Sequence, residues 1–315
     1  MTFTQTVKAE ILRGIGKPEP CCRKAYLSSL IRSAGTIGFG ASGFSLTFYS
    51  KNEKLVGFIE KLITEDYPEC GYAVTSDAKT KVFGTEVRDS ARMLRECGII
   101  SAGKSLELVD GISDLFTDRE CCAKSYLTGL FLGCGTVKIP IASDLTEDVK
   151  GGYHLELALF NFDTALDTVH LFSEFGFDAG LGYRKEKQLV YFKDGETISD
   201  LLAFFGAGGG VMIIQNSIAA RSIRADANRA GNCISANIDK AVAAAQNQLR
   251  AIEYIEKTDG LDSLSPQMKE TAILRKAYPE ATLEELTEKH NGVSKSGVNH
   301  RLRGIVRIAR EREER

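Results

Sequence analysis

The chain lacks the features that would place it outside the cytoplasm. Its opening residues, MTFTQTVKAEIL, carry neither a basic stretch nor an apolar one, so no secretory signal is expected. The longest apolar run, residues 203–214, is broken by four glycines and is too short to span a bilayer. The eight cysteines (21, 22, 70, 97, 121, 122, 134 and 233) form no C-x-x-C pair with zinc spacing. Adjacent cysteines such as Cys21 and Cys22 are read as unsuited to sharing a metal or a bridge. Reduced, mostly buried thiols of a cytoplasmic protein are expected, with no metal and no cofactor. Nucleotide loops are missing too. GFGASG (residues 38–43) matches G-x-G-x-x-G by letter, but a helical pattern precedes it and a strand pattern follows, the reverse of what a dinucleotide site needs. GAGGG (residues 206–210) is not followed by G-K-[ST] and reads as a hinge. There is no bias towards disorder: 43% apolar residues suffice for a sizeable core, and 315 residues suggest two or three domains.

What is present is a repeat. CCRKAYLSSLIRSAGTI (residues 21–37) returns 100 residues later as CCAKSYLTGLFLGCGTV (residues 121–137), with eight of 17 positions identical. Leu27, Leu30, Ile31 and Ala34 are spaced along one helical face. Gly35 suits the left-handed position just past a helix end. Small residues recur four apart, Ser29 and Ser33 in one copy and Gly129 and Gly133 in the other. Small side chains let backbones approach closely, so the two helices are expected to cross at the domain centre.

The repeat continues beyond these helices. Strand patterns at 44–50 and helical spacing at 55–67 precede strand-like runs near 73–75 and 79–83, then a helical run at 87–97. The second copy shows strands at 136–141 and 153–160, a helix at 164–177, a hairpin ending at 193 and a helix at 198–206. Each half reads αββαββα, the repeats covering about 21–100 and 121–206. A short helix at 3–12 should open the chain and pack on the first repeat.

The expected organisation is a repeated domain over 1–206, a hinge and helical connector over 207–262, and a small helical module over 263–315. The connector carries Arg221, Arg224, Asn228, Arg229 and Asn232 before a break expected at Gly231–Asn232. These side chains suit phosphates or base edges, or equally the capping of helices around the break. In the C-terminal module, Pro266 suits the first position of a helix ending before Pro279. Thr282 and Glu285 form a capping box. A turn at Asn291–Gly292 and a cap at Ser294 lead into a last helix over 295–310. Helix, short glycine turn, helix is the helix-turn-helix arrangement. Val298, Leu302, Ile305 and Ala309 form the last helix's apolar stripe. From Lys289 to Arg310 there are six Lys or Arg and no acid. Residues 1–210 carry net charge −5 and residues 211–315 net +3, which makes the C-terminal third the likelier partner of a polyanion. Candidate DNA contacts are Ser294, Lys295, Ser296, Asn299, His300 and Arg303, of which Asn299 suits adenine and Arg303 or Lys295 guanine, with Arg301, Arg307 and Arg310 for phosphates.

Residues 27–35 (LSSLIRSAG) and 127–135 (LTGLFLGCG) resemble the LAGLIDADG motif of homing endonucleases. With its C-terminal region, including SKSGVNHRL (residues 294–302), nearly the whole chain resembles the bacterial WhiA family. The resemblance implies an α+β fold: a pseudo-two-fold tandem αββαββα LAGLIDADG-like domain followed by an all-α helix-turn-helix domain. It further implies a cytoplasmic, nucleoid-associated transcription regulator of cell division, chromosome segregation or sporulation. The expected partners are double-stranded DNA and a second regulatory protein on the repeated domain, with no membrane. In the nucleases the eighth motif position is an acid that holds a divalent metal. Here Ala34 and Cys134 stand there, and the sixth positions are Arg32 and Leu132. Neither an alanine nor a thiol supplies the oxygen ligand that Mg²⁺ needs, so no catalytic residue is expected. The alternative is a metal-dependent endonuclease or maturase with a rearranged site, recruiting acids such as Asp66, Asp144 or Asp148.

Overall fold

The computed structural model describes residues 2–40, 43–77, 82–101, 107–140, 151–290 and 292–314. The chain divides into two compact units, Met1–Ser222 and Ile223–Arg315. In the first, α1 (Phe3–Gly14) precedes two copies of one element order. The first copy runs α2 (Pro20–Ala34), β1 (Gly35–Gly40), β2 (Gly43–Ser50), α3 (Glu53–Asp66), β3 (Tyr72–Asp77), β4 (Val82–Val87) and α4 (Ala91–Glu96). The second runs α5 (Glu120–Cys134), β5 (Gly135–Lys138), β6 (His154–Leu159), α6 (Phe162–Glu174), β7 (Gly180–Arg184), β8 (Lys187–Phe192) and α7 (Gly195–Phe204). Each copy forms a four-stranded antiparallel sheet, ordered β1-β2-β4-β3 and β5-β6-β8-β7. Equivalent glycines start each ladder, Gly35 opposite Phe48 and Gly135 opposite Leu157.

Alternation builds the sheets. Leu155, Leu157 and Leu159 of β6 turn inward while the residues between them face outward, as the period of two requires. One boundary differs from expectation. Val87, read as a helix start, ends β4 opposite Leu46 and Tyr72, and α4 begins only at Ala91. Val87 is buried, so its apolar side chain serves the sheet rather than a helical stripe.

Helices α2 and α5 cross at the centre, where Leu27, Leu30, Leu127 and Leu130 are buried. The small residues explain the close approach. A Cβ added at Gly129 would lie 1.9 Å from Ser29 Oγ, and one at Gly133 would lie 1.9 Å from Ser33 Oγ. Gly35 needs correction. It is not left-handed: φ is −84° and ψ 148°, and Gly135 matches it at −70° and 144°. Glycine is required for room. A Cβ at Gly35 would sit 2.7 Å from the Ile31 carbonyl oxygen, and one at Gly135 would sit 2.6 Å from that of Phe131.

Helix α1 packs on α3 of the first repeat, as expected, and is tied to the second as well: Thr4 Oγ1 donates to the Val137 carbonyl (2.8 Å) and accepts from its amide (3.0 Å). One further expectation changes. The expected hinge at 206–210 is an anchored helix start. Gly206, at φ +87°, closes α7, and Glu10 then receives the free amides of Gly209 (2.6 Å) and Gly210 (3.1 Å) at the head of α8 (Gly208–Thr258). A carboxylate at a helix N-terminus also meets the positive end of the helix dipole.

Helix α8 is continuous over 51 residues, with no break at Gly231–Asn232. A single interior glycine costs a helix only about 1 kcal/mol, which neighbouring alanines offset. The capping role considered for the arginines and asparagines around a break therefore falls away. Residues 226–244 are exposed along the whole stretch, including Ile234 (61%), Ile238 (56%) and Val242 (49%), whereas Ile252 and Ile255 are buried. In the second unit the end of α8 packs with α9 (Pro266–Ala277), α10 (Leu283–Lys289) and α11 (Lys295–Glu313). Their core joins Ile252, Ile255, Ala272, Leu286, Val298, Leu302 and Ile305. Among the described residues no helix is long and apolar enough to cross a membrane.

Candidate nucleic-acid interface

The α10–α11 pair is held by local chemistry that the sequence announces. Thr282 Oγ1 accepts from the Glu285 amide (3.2 Å), and Glu285 Oε2 accepts from the Thr282 amide (2.7 Å), closing the capping box. Those hydrogen bonds also hold the Glu285 carboxyl below its ordinary range. Gly292, at φ +81°, makes the turn; Asn291 lies outside the described residues. Ser294 Oγ then accepts from the Gly297 amide (3.2 Å) and starts α11. Beneath, buried Arg275 donates to Gln248 Oε1 (3.0 Å) and to the Ala281 carbonyl (2.6 Å). Burial lowers its pKa, yet the charge stays satisfied by these two acceptors.

The 100° helical step separates two sides of α11. Val298, Leu302, Ile305 and Ala309 are buried. Ser296, Asn299, His300, Arg303, Arg307 and Arg310 fall within an arc of about 100° on the other side, and all but the half-buried Asn299 are exposed. Arg303 and Arg310 have no ion pair among the described residues, while Arg307 makes only a 3.8 Å contact with Glu311. Lys295 bridges to Glu284 of α10 at 3.3 Å. Arg301 is placed differently from the others. It lies about 70° from the centre of the apolar stripe, and its Nη1 turns inward to His290 Nε2 (3.2 Å) and Thr271 Oγ1 (3.5 Å). It braces α11 against its neighbours, and the other arginines make up the outward cationic face.

The connector candidates differ among themselves. Arg221 lies 5.9 Å from the Tyr153 ring centre and reaches the Gly151 carbonyl (3.5 Å). Arg224 is partly buried, with an Nε that has no hydrogen-bond partner. Arg229 pairs with Asp226, while Asn228 and Asn232 are exposed.

At the equivalent of the nuclease centre, the residues present do not fit a divalent metal. Ala34 is packed beside the helix crossing, a methyl with no lone pair. Cys134 donates its thiol to the Leu130 carbonyl (3.4 Å), and burial pushes its pKa up to about 11. Lys8, whose own pKa burial lowers to about 8, is its electrostatic neighbour, so the local field opposes a cation. Arg32, at the sixth position, donates to the Gly98 carbonyl (2.8 Å). Asp66 is held by Arg23 (2.6 Å), while Asp144 and Asp148 lie outside the described residues.

One constellation was misjudged from the sequence. Cys21, Cys22, Cys121 and Cys122 converge, with all four sulfurs within 4.8 Å of one another. Adjacent cysteines looked unable to share a partner because the second pair, 100 residues away, is brought near only by the crossing of α2 and α5.

Comparison with known proteins agrees with this architecture. Residues 123–224 match the family described as the WhiA LAGLIDADG-like domain, and residues 227–309 match the WhiA C-terminal HTH domain. A protein of Desulforamulus reducens named "Probable cell division protein WhiA" is 34% identical, over 98% of this chain and 95% of its own. One of the same name from Oceanobacillus iheyensis is 32% identical, over 98% and 97%. The crystal structure of full-length DUF199/WhiA from Thermotoga maritima shares the fold, with a TM-score of 0.59 at 22% identity and 99% of each chain covered. On sequence, element order and domain matches together, the chain belongs to the WhiA family.

Proposed function

We propose that this chain is a sequence-specific DNA-binding regulator, acting in the cell-division role named for its relatives, with α11 lying in the major groove. One observation carries this reading: the outward side of α11 joins base-reading groups (Asn299, Arg303) to cations left unpaired or weakly paired (Arg303, Arg307, Arg310) over a buried stripe that fixes their orientation. The LAGLIDADG-like domain serves as a scaffold that does not cut, in keeping with Ala34 and Cys134 and with Lys8 beside the latter. Nucleoid association accords with this DNA role; a part in chromosome segregation or sporulation is implied by the family resemblance alone. The first sheet supports a second role, docking of a regulatory protein: its strands carry no Lys or Arg and expose Phe39, Tyr49, Tyr72 and Val74.

The test is selection of bound sequences from a random DNA pool with the full chain, followed by variants. Asn299→Ala or Arg303→Ala should each relax preference at one base position by about 1–3 kcal/mol. Arg307→Ala should weaken all sites alike. If about six phosphates are neutralised, log K should fall with log salt at a slope of roughly −5. A pool that yields no preferred sequence, or preferences untouched by Arg303→Ala, overturns the reading. Incubation of the selected DNA with Mg²⁺ or Mn²⁺ checks the scaffold role; cleavage that follows the purified chain would refute it.

A further inference from the structure

The four-cysteine cluster is built by both repeats. Cys21 and Cys22 are the second and third residues of α2, and Cys121 and Cys122 hold the same places in α5. The sulfurs lie 4.0 Å apart in the first pair and 3.9 Å in the second, and no two of the four exceed 4.8 Å. A tetrahedral thiolate site with metal–sulfur bonds of about 2.3 Å separates its sulfurs by about 3.8 Å along each edge. The cluster therefore needs only a small contraction to close around one ion. A cluster of two or four irons interposes its own atoms between the ligand sulfurs and needs them farther apart. A disulfide uses two sulfurs and leaves the other pair unexplained.

The helix geometry favours thiolates, while burial pushes the Cys22 and Cys122 thiols up, so the ion itself must displace their protons. Both pairs lie in the first turn of a 15-residue helix, where free amides and the positive end of the helix dipole favour negative sulfur. Arg119, the N-cap residue of α5, adds a cationic side chain at the head of that helix. Cys121 is exposed and Cys21 partly so, which gives an ion a way in, while Cys22 and Cys122 are buried beneath.

We propose that Cys21, Cys22, Cys121 and Cys122 form a mononuclear tetrathiolate site for a soft divalent cation of the zinc type, two ligands from each repeat. On binding, each thiol gives its proton to solvent and its sulfur lone pair to the metal; no electron is transferred. Four sulfur ligands and no open position make a structural site that clamps the heads of α2 and α5 together. Its position is away from the degenerate nuclease residues, which lie at the opposite ends of the same two helices.

The experiment uses the full chain, reduced and then freed of reductant, titrated with Zn²⁺ and separately with Co²⁺. One equivalent of either ion should bind per chain, and cobalt should give the intense visible bands of tetrahedral thiolate coordination. Bound zinc should protect the accessible Cys21 and Cys121 from alkylation, as read by peptide mass, and leave Cys233 reactive; this readout needs no variant. Cys121→Ser should lower the affinity by more than about 100-fold, since even groups that only support a ligand are worth about 10–100-fold. Cys233→Ser, on the exposed stretch of α8, should change nothing. Absence of stoichiometric binding overturns the proposal. So does octahedral cobalt, a full-affinity Cys121→Ser variant, or alkylation of Cys21 and Cys121 unaffected by zinc.

Discussion

The two repeats share their element order and differ in how identical residues are used. Lys24 and Lys124 occupy the same place in α2 and α5. Lys24 reaches Glu96 at the end of α4 (2.7 Å), whereas Lys124 lies over the ring of Phe204 at the end of α7 (5.0 Å). Arg32 crosses to Gly98, and its counterpart Leu132 is simply buried. At the crossing, α2 contributes serines and α5 glycines. The first sheet has no cation in its strands, while the second carries Lys138, Arg184 and Lys187. The shared leucines are buried at the crossing, and the shared glycines hold each helix-to-strand junction. The differing residues give the first copy polar, paired contacts and the second a more apolar core with a more cationic sheet.

The sharpest way to break this comparison is to exchange the small residues at the crossing. Gly129→Ser would place a Cβ 1.9 Å from Ser29 Oγ and should cost about 2–3 kcal/mol by overpacking. Ser29→Gly alone should cost about 1 kcal/mol. The double exchange should recover most of the loss, because it moves the small partner to the other helix; denaturant melts of the four proteins measure the coupling. A double variant as weak as the sum of the singles would place the asymmetry elsewhere.

A middle-sized effect should come from the sheets. If the repeated domain adds phosphate contacts, Lys138→Gln and Lys187→Gln should each lower the salt slope of DNA binding by about 1. The first sheet offers no equivalent position, so a footprint that shrinks only with second-sheet changes would sharpen the contrast.

The smallest effect concerns acid. Hydrogen bonds from Lys24 and Arg92 hold the Glu96 carboxyl down to about 2, from an ordinary 4.5. A depressed folded-state value stabilises above pH 4.5, and that stabilisation is lost as pH falls towards 2. Both partners of the Lys24–Glu96 pair are about a third exposed, so solvent screening limits it to about 1 kcal/mol or less. Lys24→Met should remove part of this acid-sensitive stability in melts across that pH range, and Lys124→Met should leave the acid profile unchanged.

The repeat was legible because the leucines shared by both copies are buried where α2 and α5 cross, and the shared glycines hold the same tight place at each helix end. The capped ends of α10 and α11 were legible because capping is local: Thr282, Glu285 and Ser294 find their partners three residues away. What misled was chemistry with more than one cause. Gly35 looked like a residue chosen for its backbone angles and is one chosen for space. Gly231 looked like a helix stop, but one weak residue cannot end a long alanine-rich helix. Arg301 shares its composition with the outward arginines, and only its angular position turns it to His290. The cysteine quartet depended on a crossing that no local spacing reveals.

The attachments of α1 have a consequence for the order in which the protein can be assembled. Thr4 waits for Val137, 133 residues downstream, and Glu10 waits for Gly209, 199 residues downstream. During synthesis the first helix is finished long before either anchor exists, and contacts of such sequence separation are slow to close. Until the ribosome has made both, α1 has only α3 of the first repeat to pack on, and the buried side chains of Val7 and Ile11 are not yet fully enclosed.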